Sequence, residues 1–224
     1  MRLQAAIIHT LTGGLLFSVI IWPIVCLWYP QGLLINLGAI NILLLIIGVD
    51  LTLGPLLTAC VFSPKKTARH RWIDESIVLL LQVTGLCIGM YTLYHARPVY
   101  IVWHSQQFYV VQAKNIQPED WALAPENLKP SLSGPRWVYA EWPTDVKKRQ
   151  EGSLFSLTAE GMRHYFPQYF LPLAVASGEI KKAIAKTQGD DLHLATATLP
   201  ASVDETALKV IVDSEAIKPL SITK

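Results

Sequence analysis

Residues 33–71 read LLINLGAINILLLIIGVDLTLGPLLTACVFSPKKTARHR, an apolar run that ends in the basic cluster Lys65, Lys66, Arg69, His70 and Arg71. About 20 predominantly apolar residues suffice to cross ~30 Å of hydrocarbon as a helix. The run exceeds that length and holds one formal charge, Asp50. Working outward, a second apolar segment precedes it (Ala5–Tyr29) and a third follows it (Ser76–His95). Soluble folds rarely need three such segments in succession, so the pattern predicts a membrane protein with three transmembrane α-helices, at about 5–29, 33–62 and 76–95.

The chain average of 51% hydrophobic and 16% charged residues conceals a division. Between Gln4 and Ser63 the only formal charge is Asp50, whereas residues 97–224 have the composition of an ordinary polar domain. The expected organisation is a three-helix transmembrane domain over 1–96 and a second domain over 97–224. A net charge of +2, with no basic face evident in the polar half, gives no support to nucleic-acid binding.

Lys and Arg concentrate in cytoplasmic loops. The connection 63–73 carries them and the turn Pro30-Gln31-Gly32 has none. The expected topology is multi-pass with a cytoplasmic N-terminus and basic loop. Residues 97–224 then lie outside the cytoplasm, in the periplasm of a bacterium with two membranes. Trp22, Trp28 and Tyr29 read as interfacial anchors. Pro23 and Gly54-Pro55 read as bends, and Asp74 as the cap of the third helix. A cleaved signal peptide is the rival reading of the first segment. Its apolar run is longer than the usual h-region and a second span follows at once.

Ionisable side chains inside a span cost about 2.5–3.5 kcal/mol on insertion scales and face a protein interior or a wet cavity. Counting from the turn near Gln31, Asp50 lies ~28 Å along the second helix and His9 ~33 Å along the first. The two are therefore expected at similar depth, near the cytoplasmic boundary. A helix tether and a relay or docking point for a charged group both fit them. Gly85 and Gly89, four residues apart on the third segment, are candidates for a close helix contact. Cys26, Cys60 and Cys87 all fall in the apolar segments and read as small buried side chains.

In the polar half, Arg97-Pro98 ends the third helix, and 99–103 and 108–111 read as a hairpin. Prolines break 115–135. A strand is expected at 136–142, helical turns at 144–150 and 156–165, a short amphipathic helix at 177–187, and strands at 207–212 and 217–222. The expected fold is a small α+β domain on a mainly antiparallel sheet. Tyr165, Phe166, Tyr169 and Phe170 form an aromatic patch, read first as core and alternatively as a protein-binding surface. No metal-ligand spacing, nucleophile motif or phosphate loop occurs, so no catalytic, cofactor or metal residue is expected and nothing points to an enzyme.

The run VDLTLGPLLTACVFSPKK (49–66), a third apolar helix with Gln82, and YTLYHARPVYIVWHSQQFYVVQAKNI (91–116) together resemble the TfpX/TfpZ-type accessory proteins of bacterial type IV pilins. The resemblance is carried by Asp50, Gly54-Pro55, Pro64-Lys65-Lys66 and Arg97-Pro98-Val99-Tyr100. It implies a non-enzymatic inner-membrane factor that affects pilin assembly and surface piliation. The partners it implies are the major pilin and, beyond it, other inner-membrane proteins of the pilus machine, all within the lipid bilayer. Asp50, His9, Gly85 and Gly89 are then candidate contacts in the membrane, and Arg97, Tyr100, Tyr165, Phe166, Tyr169 and Phe170 candidate contacts in the periplasm. A small transporter using Asp50 and a membrane-tethered periplasmic sensor are the alternatives.

Overall fold

The computed structural model describes residues 2–61, 66–104, 106–141, 166–187, 191–196, 208–212 and 219–223. The chain forms two compact units. One comprises the residues up to Leu27 with Leu37–His95, the other Trp28–Asn36 with the chain from Ala96 onward.

The first unit is helical. Helix α1 (Arg2–Leu16) passes through a π-helical turn (Phe17–Ile21) into α2 (Trp22–Trp28). The extra residue of that turn falls just before Pro23, which lacks the N–H a regular helix would use. After a short helix α3 (Leu33–Asn36), which belongs to the second unit, come α4 (Ala39–Val61) and α5 (Ala68–Ala96). Three stretches, Ala6–Trp28, Ala39–Cys60 and Ala68–Ala96, are long and apolar enough to cross a membrane.

Two boundaries differ from the sequence reading. The long second segment is two helices, because Gly38 takes a positive φ of 70° and turns the chain between α3 and α4. Helix α5 starts two turns earlier than Ser76. Its cap is Thr67, whose hydroxyl accepts from the His70 N–H at 3.4 Å, and Asp74 lies inside the helix paired with Lys66 at 2.6 Å. Helix α4 runs uninterrupted through Pro55.

The second unit is built on a seven-stranded sheet: β1 (Pro98–His104), β2 (Gln107–Gln112), β3 (Arg136–Ala140), β4 (Phe170–Pro172), β5 (Asp191–Thr196), β6 (Leu208–Val212) and β7 (Pro219–Thr223). The order is β4-β3-β1-β2-β5-β6-β7. β1 and β2 form the expected hairpin, with Gln106 at φ 66° in its turn. The sheet is mixed, which corrects the expectation of a mainly antiparallel one. β3 lies parallel to β1 and β5 parallel to β2, while β4, β6 and β7 join antiparallel.

The reason lies in the connections. β2 carries the chain back, so β3 enters from the end where β1 began and the proline-broken stretch 113–135 spans that end. Between β4 and β5 the chain crosses back through helix α6 (Ser177–Thr187), the kind of long connection a parallel neighbour requires. Helix α6 turns Ile180, Ala183 and Ile184 inward and Lys181 and Lys182 outward, as its spacing predicts.

β1 is the centre of this unit. Val99 to Trp103 are all fully buried, so both faces of the strand are covered, which is normal for a strand with a parallel neighbour. On the core side Tyr100, Val102, Val111, Val138 and Phe170 pack together, with Trp121 against them. Strand β5 was not anticipated; Asp191 opens it opposite Ile211. The helical turns expected at 144–150 and 156–165 lie outside the described residues.

Candidate functional site

Asp50, Gly54 and Thr58 recur every four residues and so share one face of α4. His9 and Gly13 have the same spacing on α1, which packs along α4. Gln82 comes from α5. Asp50 stands at the midpoint of α4 and Gln82 at the midpoint of α5.

These groups meet. Gln82 Nε2 donates to Asp50 Oδ1 at 2.7 Å, and His9 Nδ1 shares a hydrogen bond with Thr58 Oγ1 at 3.3 Å. The room for them is made by glycine. A Cβ on Gly54 would collide with Gln82 Nε2 and stand 2.6 Å from His9 Nε2, so both side-chain tips converge over the bare backbone of α4. A Cβ on Gly13 would stand 3.1 Å from Asp50 Oδ2. Further along, Gly89 of α5 receives Ile46, whose Cδ1 and Cγ1 would be 2.5 Å from a Cβ there. The three helices are therefore joined by two side-chain hydrogen bonds and one aliphatic knob over glycine.

Asp50 and His9 fall in one cluster, a turn apart and not bonded to each other. Gly13 stands against Asp50, while His9 stands a turn away, beside Gly54 and Thr58. Counting from Gln31 anticipates this offset, since ~28 Å for Asp50 and ~33 Å for His9 differ by about one helical turn. Because α3 and the Gly38 turn precede α4, Asp50 falls at the middle of its helix and not near its end as expected. Gly85 and Gly89 do not act together: Gly89 takes Ile46, and Gly85 faces open space. Cys26, Cys60 and Cys87 are exposed on the helices, contrary to the expectation of buried thiols, because these faces point away from the unit's interior.

In the second unit, Tyr100 and Phe170 are core residues in edge-to-face contact at 4.8 Å. The Tyr100 hydroxyl donates to the Leu128 carbonyl at 2.9 Å. Phe166 and Tyr169 stay half-buried with ring centroids 6.5 Å apart. They are the members of the aromatic patch left at a surface, and Tyr165 lies outside the described residues. Arg97 is buried, and its backbone carbonyl accepts from the Ala113 N–H at 2.9 Å. Burial pushes the Tyr29 hydroxyl pKa up, and the charge of Arg97 draws it back.

Gln82 and Gly13 were not foreseen as neighbours of Asp50, nor Thr58 and Gly54 as neighbours of His9. The available signal was the four-residue spacing of small and polar residues around Asp50 and His9. Among the described residues no group of three or more His, Cys, Asp or Glu could hold a metal ion.

No family model matches the chain, and no solved structure matches it. It is similar to curated fimbrial assembly proteins of Dichelobacter nodosus. With that of serogroup I it is 32% identical over 109 residues, 49% of this chain and 39% of the relative. With that of serogroup E1 it is 30% identical over 141 residues, 62% and 52%. With that of serogroups C1 and C2 it is 31% identical over 109 residues, 49% and 77%. The chain thus covers about half or less of the first two relatives and most of the third.

Proposed function

We propose a function from the premise that this chain belongs to the family of fimbrial assembly proteins. It acts as a non-enzymatic accessory factor of the TfpX/TfpZ type for type IV pilin. It works in the inner membrane, with the basic stretch around Lys66–Arg71 on the cytoplasmic side and the sheet unit in the periplasm. Through contacts in both compartments it helps pilin subunits reach the assembling fibre and so sets the number of surface pili.

One observation carries this reading. The three candidate spans are only 12%, 22% and 11% buried within the protein. Side chains such as Leu15, Leu45, Leu56, Leu80 and Ile88 turn outward as an apolar surface. Lipid covers such a surface, and so does the apolar helix of a membrane-held client. A periplasmic unit on the same chain adds a second contact, and two weak contacts on one chain gain by effective concentration.

The test is a chromosomal deletion scored by counting surface pili and by recovery of pilin from cross-linked membranes. Fewer pili in the deletion strain and pilin cross-linked to the wild-type protein are expected. Normal piliation together with no pilin or pilus-machine protein recovered overturns the function.

A further inference from the structure

Asp50 is the only formal charge between Gln4 and Ser63, and it stands at the middle of its helix. An ionised carboxylate offers about four acceptor sites. Among the described residues Asp50 receives one hydrogen bond, from the neutral Gln82 amide, and no cationic side chain reaches it. His9, the nearest ionisable group of the cluster, is instead bonded to Thr58. The second carboxylate oxygen, Oδ2, lies against the α1 backbone at Gly13 and receives no hydrogen bond among the described residues. Asp50 itself is half-buried and is flanked on α4 by the exposed Val49, Leu51 and Leu53.

A helix tether needs none of this charge. Asparagine would accept the same bond from Gln82 without the cost of a carboxylate inside a span. A carboxylate at that place has a use beyond the tether when a positive group arrives to meet it.

We propose that Asp50 is a binding site for a positively charged nitrogen, an amine or a guanidinium, carried in the apolar helix of a membrane-held client. Gln82 holds Oδ1 and fixes the carboxylate. Oδ2 keeps its acceptor capacity for the approaching charge, and the exposed apolar side chains on either side of Asp50 receive the client helix. The inference rests on the accessory-factor reading, because it names the chemistry by which the same protein selects its client.

The test uses the full-length protein in phosphatidylethanolamine–phosphatidylglycerol vesicles and a synthetic 23-residue Leu/Ala transmembrane peptide with one central Lys. A matched peptide with Met at that place is the control, and binding is read by energy transfer. Desolvated charge pairs couple strongly, so the Lys peptide is expected to bind at least about tenfold tighter than the Met peptide. Asp50→Asn, which keeps the acceptor for Gln82, should abolish the difference while leaving the melting temperature unchanged. Gln82→Met, which keeps the carboxylate, should retain a preference for Lys. Equal binding of the two peptides, or an Asp50→Asn variant that still prefers Lys, overturns the inference. In cells the two levels separate. If deletion lowers piliation and Asp50→Asn restores it fully, the Asp50 site is wrong and the accessory role stands. If deletion leaves piliation normal, the accessory role itself fails.

Discussion

The two units use the same apolar side chains in opposite ways. In the sheet unit the apolar residues turn inward: β1 is buried on both faces and Trp103 packs edge-to-face on Phe108 at 4.9 Å. In the helical unit most of them turn outward, and the inward-facing groups include Asp50, Gln82, His9 and Thr58 laid over glycine. In water the first arrangement is stable because burying apolar surface is favourable. That drive vanishes between helices surrounded by lipid, where close packing and hydrogen bonds hold them together. The contrast teaches that the two units should fail by different mutations.

The largest expected effect is in the sheet. Trp103→Ala empties a fully buried site and should cost about 3–5 kcal/mol. In thermal unfolding of the purified protein in detergent, followed by circular dichroism, the strand signal should melt earlier while the helical signal keeps its midpoint. A parallel loss of both would break the contrast, since it would mean that one core stabilises the whole chain.

Next comes glycine in the helical unit. Gly54→Leu drives a side chain into the space held by Gln82 and His9, and overpacking of this kind costs ~1–3 kcal/mol. Gly85→Leu on α5 meets open space, and a better helix former there should leave the helical midpoint unchanged or raise it. If the two substitutions act alike, the polar cluster does not organise the helices.

The smallest effect sharpens the sheet side. Tyr100→Phe removes the bond to the Leu128 carbonyl and should cost about 1 kcal/mol. Burial holds the Tyr100 hydroxyl pKa above its usual value of 10.0, against the pull of Arg136. The folded state therefore keeps the proton under conditions where the unfolded chain releases it. The stabilising contribution is complete below about pH 10 and is lost as pH rises further. Wild type should thus lose stability more steeply above pH 10 than Tyr100→Phe in denaturant titrations, and identical slopes would remove Tyr100 from the account.

Much of the layout was legible in the chain. Three apolar runs announce three long helices because a span needs length and low charge, both local properties. The β1–β2 hairpin and helix α6 were legible for the same reason, from β-branched and aromatic runs on either side of a polar turn and from Ile180 and Ile184 one turn apart. Phe170 was legible within a patch read first as core, Tyr100 only as part of a strand. That they sit in the core, and that Phe166 and Tyr169 remain nearer a surface, follows from the register of β3 with β4, which lies outside the range of any local pattern.

By itself the sequence determined that Asp50 is exceptional, since one charge in a long apolar run is visible by inspection. Only the tertiary structure decided what Asp50 meets. Its partner, Gln82, is distant in sequence and comes from another helix, and its place at the middle of α4 depends on where Gly38 turns the chain. The mixed sheet has the same origin. Strand identity is written in a few adjacent residues, whereas strand direction is set by the path of the connections, which no short stretch of sequence contains.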